Sequence, residues 1–353
     1  MSGGVDSSVA AALLKEQGYD VIGVSLKLWD YDEEERKLKG KTCCSLDDIA
    51  DAKDVCDTLG IPFYAFNHKP EFRKAVIDVF VEEYRNGRTP NPCVLCNKDI
   101  KFDLLLKEAR KLGASFLATG HYARISRDES GAPHLLKGVD NDKDQSYVLF
   151  HLSSEDLQQV LLPIGDYTKA EIRALAVRYG LVTHNKKESM EICFIPNNDH
   201  ASFISKNYPE LKHPPGKIVD TAGRVLGTHE GIDGYTVGQR RGLGVSLGER
   251  VYVAEIRAAT NEVVLAREDE VYFKGVKGRD FRFLRSPQKR EYGAKIRYQR
   301  DELPAEIVDF DEAHGAIELK FLGPARAVTP GQALVLYDGK EVVGGGWIAS
   351  AVH

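Results

Sequence analysis

The sequence contains no apolar run approaching the roughly 20 residues of a membrane span, and no secretory h-region opens it. A cytoplasmic protein without membrane contact is therefore expected. It has no internal repeat and no low-complexity tail, which argues against a solenoid or an array. Cysteine is sparse, with six in 353 residues. In a cytoplasmic chain such cysteines are catalytic, metal-binding or buried rather than disulfide staples. One C-x-x-C is present, Cys93-Val94-Leu95-Cys96, but Cys43 and Cys44 are adjacent and no His-x-x-x-His follows. A structural zinc site would want a second ligand pair, so zinc is disfavoured. No lysine follows the first glycines, which excludes the G-x-x-x-x-G-K-[ST] phosphate loop. The net charge of −5 argues against uniform coating by nucleic acid.

What is present begins at Ser2-Gly3-Gly4-Val5-Asp6-Ser7-Ser8, directly before the apolar run Val9 to Leu14. Glycines and hydroxyls leading into a first helical turn can cradle a phosphate on unpartnered N–H groups at the positive end of the helix dipole. A Ser/Asp-capped helix start behind a glycine turn explains the same stretch equally well. No strand precedes Ser2, whereas a phosphate loop ordinarily hangs from one, so the loop is expected to lack that anchor.

The length implies two or three domains, and the 42% hydrophobic content is that of a globular protein. Tyr19–Leu26 reads as a strand, Asp30–Lys41 as a charged loop, and the run after Cys43-Cys44-Ser45 as a helix, Leu46–Leu59, closed by Gly60. Ile61–Phe66 is the next strand. Phe72–Tyr84 has helical spacing, and a Pro-broken loop, Gly87–Asn97, precedes a helix over Lys98–Leu112. Strand, helix, strand implies a parallel α/β sheet. Phe116–Thr119 is a short buried strand with Gly120-His121-Tyr122 at its C-terminal end, the edge where ligands gather in open α/β sheets. Helices are expected over Ser154–Leu161 and Thr168–Tyr179, the second opened by a Thr168/Glu171 capping box. Glu191–Pro196 reads as a strand carrying Cys193.

The α/β pattern stops near residue 204. Past Pro214, glycines and β-branched residues dominate, with a Gly-rich basic loop at Tyr235–Gly244. From about Val271, strands alternate with turns as in a small antiparallel barrel. The expected domains are therefore 1–204, 205–272 and 273–353. Charge is unevenly spread: residues 1–66 carry 13 acidic and 7 basic side chains, whereas residues 274–300 carry 10 basic and 2 acidic. The second segment reads as a local anion footprint or as a solvated strand face.

Around the C-x-x-C, zinc, redox and cluster chemistry all stay open, with Cys193 as a third candidate thiol and a buried thiol pair as the plain alternative. Cys56, beside Val55 and Leu59, is expected in the core. His121 could meet a phosphate or a base, although a lone histidine is more often a satisfied polar group. His134, in a surface hairpin, is a weak partner for it.

SGGVDSS, GRTPNPCVLCNKDIKF, LATGHYAR, KDQSY, EICFI and TVGQRRGLG occur in this order along the chain. Together they resemble the bacterial tRNA-specific 2-thiouridylase family of the PP-loop ATP pyrophosphatases, over essentially the whole chain. SGGVDS alone is shared with other PP-loop enzymes; NPCVLCNKDIKF followed by ATGHY and KDQSY is far more specific. The resemblance implies a parallel-sheet nucleotide-binding domain of the adenine-nucleotide α-hydrolase type, a small β-rich central domain that binds tRNA, and a C-terminal antiparallel β-barrel. It implies ATP binding by Ser2, Gly3, Gly4, Val5, Asp6, Ser7, Leu26 and Gly120, with Mg²⁺. Cys96 and Cys193 match the paired catalytic cysteines, and Asn91, Pro92 and Cys93 the segment that meets the target base. His121, Lys143, Asp144, Gln145, Arg297, Tyr298 and Gln332 match tRNA contacts.

The implied chemistry is adenylation of O2 of the wobble uridine, U34, in tRNAs of the Lys, Glu and Gln type. A Cys193 persulfide, loaded by a relay protein or a cysteine desulfurase, then delivers sulfur, and Cys96 closes a disulfide. Lys98 would favour the thiolate. The expected protein is a monomer. Many relatives carry aspartate where this chain has Cys93, so Cys93, Cys96 and Cys193 could instead hold a [4Fe-4S] cluster with one open iron. The alternative is another PP-loop adenylating enzyme, an amide-forming ligase or a different tRNA thiolase; the cysteine pair and the barrel argue against the ligase. An RNA-binding metal or redox module is disfavoured because it leaves the phosphate loop without a task.

Overall fold

A computed structural model describes residues 1–30, 46–187, 192–195 and 199–353. Cys43, Cys44, most of the charged loop, Glu191 and Pro196 lie outside the described residues. The chain forms two compact units. The first comprises Met1–Val76, Cys93–Asn198 and Lys340–Val342; the second comprises Ile77–Pro92, Asp199–Gly339 and Val343–His353.

In the first unit, α1 (Val5–Glu16) buries Val5, Val9, Ala10, Ala11, Ala12, Leu13 and Leu14. A helix apolar nearly all round belongs in a core. It packs with Val55 of α2 (Leu46–Leu59) and with Ile172 and Ala176 further along the chain. Strand β1 (Gly23–Lys27) pairs in parallel with β2 (Phe63–Asn67), Gly23 opposite Phe63 and Lys27 opposite Asn67. Cys56 is fully buried in α2, and burial pushes its thiol pKa up, as befits a core residue.

After α3 (Lys69–Phe72) the chain makes a π-helical turn, Arg73–Ile77, and enters α4 (Asp78–Arg85) of the second unit. The helix expected from Lys98 starts earlier, at α5 (Pro92–Leu95), because proline suits a first helical turn, where its missing N–H leaves no bond unmade. It runs on as a π-helix, Cys96–Leu104, then as α6 (Leu105–Lys111). Next come β3 (Leu117–Ala118), the antiparallel hairpin of β4 (Ala123–Arg127) and β5 (Pro133–Lys137), α7 (Ser154–Gln159), and β6 (Val160–Leu161), which pairs in parallel with β3. Helix α8 (Lys169–Arg178) carries the expected capping box, Thr168 with Glu171.

One expectation is corrected. Ile192–Ile195 is a turn, closed by the Ile195 N–H donating to the Ile192 carbonyl at 3.1 Å, and not a strand. Its apolar composition reflects burial of Phe194 edge-on against Phe72, with ring centroids 5.8 Å apart. Helix α9 (His200–Asn207), capped by Asp199, follows.

The second unit holds two β assemblies. β7 (Gly216–Asp220), β8 (Val225–His229), β9 (Val251–Arg257) and β10 (Glu262–Arg267) form a sheet ordered β8-β7-β10-β9, in which only the β7–β10 pair is parallel. Ile218, Val253, Val263 and Leu265 supply its core. Strands β11 (Tyr272–Phe283), β12 (Glu291–Lys295), β13 (Leu303–Asp311), β14 (Ala316–Arg326), β15 (Ala333–Asp338) and β16 (Glu341–Val352) close into a six-stranded antiparallel barrel, because β11 pairs with both β14 and β16. Closure leaves no open edge. No helix among the described residues is long and apolar enough to cross a membrane.

Candidate active site

The first turn of α1 is shaped by its own serines. Ser7 Oγ accepts from the Ser2 N–H at 3.1 Å and donates to the Gly4 carbonyl at 3.2 Å; Ser8 Oγ donates to the same carbonyl at 2.8 Å. Gly3 sits at φ +67°, and a Cβ there would lie 2.2 Å from the Asp48 carbonyl oxygen, so glycine is required. Gly4 occupies the N-cap without any side-chain cap, which leaves first-turn N–H groups open to an anion. Gly120 presses on the same turn from the end of β3: a Cβ there would lie 2.6 Å from the Ser7 nitrogen. Met1 ties the turn to β1. Its amino group donates to the Val24 carbonyl, and its own carbonyl accepts from Ser25 Oγ at 2.6 Å, both beside buried Leu26 on β1.

Asp6 is the carboxylate of this turn. Lys169, the first residue of α8, reaches its two oxygens at 2.8 and 2.9 Å, and the Tyr122 hydroxyl donates to it at 2.7 Å. Lys169 does not stand out in the sequence, and Tyr122 is placed there at the ligand edge without a role of its own. The capping box locates the start of α8, but nothing local tells that this start faces Asp6, 163 residues away.

The remaining nominated residues of this unit divide by burial. Gln145 accepts from the Tyr122 N–H at 3.0 Å through its side chain, and its own N–H returns the bond to the Tyr122 carbonyl at 2.8 Å. Asp144 is buried, its carboxylate accepting from the N–H groups of Gly138 and Ser146 and from Ser146 Oγ. Lys143 is half-buried. His121 is buried, bonded to Thr119 Oγ1 at 2.8 Å and stacked on Phe102. Burial, then Lys101 and His151, hold its pKa well below the usual histidine value, so the ring is neutral. His151 lies on the other contact of Phe102, and burial followed by Lys98 lowers it to about 3. His134 does not reach His121 and is held by Glu341 at 2.7 Å and Asp128 at 3.3 Å.

Cys96, half-buried, opens the π-helical segment, a geometry frequent at functional positions. Cys193, also half-buried, sits on the turn pinned by Phe194, and Cys93 is exposed. None is in a disulfide. The iron–sulfur expectation is not supported: among the described residues no group of three or more His, Cys, Asp or Glu side chains converges to hold a metal.

In the second unit, Arg297 donates to the Val237 carbonyl at 2.9 Å and to Thr329 Oγ1 at 2.6 Å. Exposed Tyr298 has the Lys295 ammonium over its ring. Gln332 Nε2 donates to the carbonyls of Thr89 and Pro90, just ahead of half-buried Asn91 and buried Pro92. Much of the basic segment proves to be ion-paired. Lys277 faces Glu318, Arg279 faces Glu83, Arg285 and Lys289 face Asp338, and Arg290 faces Glu306.

Comparison with known proteins covers the whole chain. A tRNA methyl transferase HUP domain family matches residues 1–197, a tRNA methyl transferase PRC-barrel domain family residues 201–267, and an aminomethyltransferase beta-barrel domain family residues 273–348. The tRNA-specific 2-thiouridylase MnmA of Geotalea uraniireducens (strain Rf4) is 51% identical over 357 residues, covering 100% of this chain and 94% of that protein. The proteins of the same name from Geobacter metallireducens (strain ATCC 53774 / DSM 7210 / GS-15) and Carboxydothermus hydrogenoformans (strain ATCC BAA-161 / DSM 6008 / Z-2901) are 49% and 48% identical, covering 100% and 99% of this chain and 96% of each relative. With a nucleotide-loop domain, a central β domain and a closed barrel matched from end to end, the chain belongs to the tRNA-specific 2-thiouridylase family.

Proposed function

We propose that this protein replaces O2 of the wobble uridine of tRNA by sulfur, using ATP to activate that oxygen. The observation that carries the reading is the α1 turn: uncapped at Gly4, closed by Gly3 and Gly120, with Asp6 tied to Lys169. It offers backbone N–H donors, serine hydroxyls and an ammonium to a polyphosphate, which is what a nucleotide-cleaving loop needs. A magnesium ion carried in with ATP needs few protein ligands, since it keeps waters and phosphate oxygens. Asp6 is the carboxylate placed to meet it, and the bound ion would neutralise phosphate charge.

O2 of the uridine attacks the α-phosphorus of ATP and pyrophosphate leaves, so a poor leaving oxygen becomes part of AMP. The terminal sulfur of a Cys193 persulfide attacks C2, and AMP departs with the original oxygen. The Cys96 thiolate then attacks the Cys193 sulfur, releasing 2-thiouridine and leaving a Cys96–Cys193 disulfide. The two thiols thereby supply the two electrons that reduce the transferred sulfur. An external reductant restores them, and a sulfur-donor protein reloads Cys193. The target base must leave its stack to reach the thiols, at a cost of a few kcal/mol. Asn91, Pro92 and Cys93 are the segment assigned to it. Tyr298 and Lys143 are candidates for tRNA contact, and neutral His121 suits a hydrogen bond better than a phosphate charge.

The test is reconstitution with a U34 tRNA, ATP and a persulfide donor, read by nucleoside mass spectrometry. The expected product is 2-thiouridine at position 34, formed together with pyrophosphate. Pyrophosphate release with no thiolated nucleoside would overturn the reading.

A further inference from the structure

The resemblance assigns Gln332 to tRNA contact, but its amide is engaged inside the protein. Nε2 donates to the Thr89 carbonyl at 2.9 Å and to the Pro90 carbonyl at 3.2 Å. The Thr89 N–H returns a 2.8 Å bond to the Pro330 carbonyl. Between these, Gly331 at φ +91° lies so close that a Cβ would sit 2.9 Å from the Thr89 oxygen and 3.0 Å from its carbon. The barrel residues 330–332 thus grip two consecutive residues of the segment, Thr89 and Pro90.

The N-terminal side of the segment is fixed as well. Arg88 makes a two-point ion pair with Glu83 at 2.8 and 2.6 Å, Arg279 adds a second cation to Glu83 at 3.4 Å, and Gly87 packs on the Ile256 carbonyl of β9. Asn91 and Pro92 follow the gripped residues directly, and Cys93 follows them. Proline at 90 and 92 stiffens the backbone, so displacement at Thr89 carries forward instead of being absorbed.

We infer that Gln332 is a positioning residue for the target-base segment: the barrel sets the place of Asn91–Pro92 through two hydrogen bonds from one side-chain amide. This deepens the proposed function and rests on it for its kinetic arm. A misplacement of order 1 Å near reacting groups lowers rates by about 10²-fold, whereas loss of one polar tRNA contact acts on affinity.

The experiment compares wild type with Gln332→Glu, which keeps size but cannot donate to a carbonyl, and with Gly331→Ala. Three quantities are read: the single-turnover thiolation rate at saturating tRNA, the tRNA Kd, and hydrogen exchange of the peptide spanning residues 84–92. Thermal unfolding checks that the variants fold. The expected result is a rate about 10²-fold lower, a tRNA Kd unchanged within about twofold, and faster exchange at Thr89. A large rise in Kd with the wild-type rate at saturation would overturn the inference in favour of direct tRNA contact, and unchanged exchange would overturn the grip itself. The exchange arm needs no substrate. Wild-type protein that thiolates nothing would therefore sink the function while leaving the grip decided by exchange.

Discussion

The Lys169 ammonium holds both carboxylate oxygens of Asp6, at 2.8 and 2.9 Å, across 163 residues of sequence. The Lys169 side chain is only 12% exposed, and the Tyr122 hydroxyl completes the group. An ammonium so placed beside the turn proposed to bind phosphate can change partner from carboxylate to polyphosphate when nucleotide and its metal arrive. Lys169→Met should therefore lower pyrophosphate formation by about 10²- to 10³-fold, the usual loss for one preorganised charge-stabilising donor. The tRNA Kd should stay near wild type. Full pyrophosphate formation by this variant would remove Lys169 from the site.

Gly120→Ala tests the same turn sterically. The added methyl would lie 2.6 Å from the Ser7 nitrogen and 2.7 Å from the Asp6 carbonyl carbon, a clash with backbone that no rotamer relieves. Destabilisation of about 1–3 kcal/mol is expected for such overpacking, together with a raised KM for ATP. Urea unfolding and ATP titration measure the two, and an unchanged KM would show that Gly120 serves packing alone.

The cysteines separate by trapping. Cys193→Ser should abolish 2-thiouridine. Cys96→Ser should stall the reaction with the base sulfur joined to Cys193, because the resolving thiolate is absent. A thiol-sensitive tRNA–protein adduct on a non-reducing gel is the expected sign. Its appearance with Cys193→Ser but not with Cys96→Ser would reverse the two assignments.

Two neutral histidines, buried His121 and half-buried His151, set an acid limit. The ordinary histidine pKa is 6.5; His151 is lowered to about 3 and His121 well below 6.5, in both cases chiefly by burial. Below 6.5 the unfolded chain binds protons that the folded chain refuses, so stability falls as pH drops. Each histidine contributes up to about 1.4 kcal/mol per pH unit until its folded pKa is reached. Replacing His151 by Gln should flatten the loss of stability between pH 6.5 and 5, measured by urea unfolding. An acid branch as steep as that of wild type would contradict the assignment.

Local chemistry was readable from the sequence and distant pairing was not. The glycine turn, the Thr168–Glu171 box and α2 each declare themselves within a few residues. The Asp6–Lys169 pair and the Gln332 grip join points 163 and 243 residues apart in number, and no periodicity encodes them. Charge counting found the basic segment at 274–300 but could not see that carboxylates such as Glu83, Glu318 and Asp338 face it. Ile192–Ile195 misled because burial of a turn against Phe72 selects the same apolar residues as a strand.

In the proposed reaction the uridine oxygen leaves as part of AMP. A tRNA carrying a heavy-oxygen label at O2 of U34, incubated with ATP and a persulfide donor, tests it by mass spectrometry of the nucleotide products. The account predicts one labelled oxygen in AMP for each 2-thiouridine formed. Unlabelled AMP beside 2-thiouridine would contradict it, because ATP would then be cleaved without activating the base.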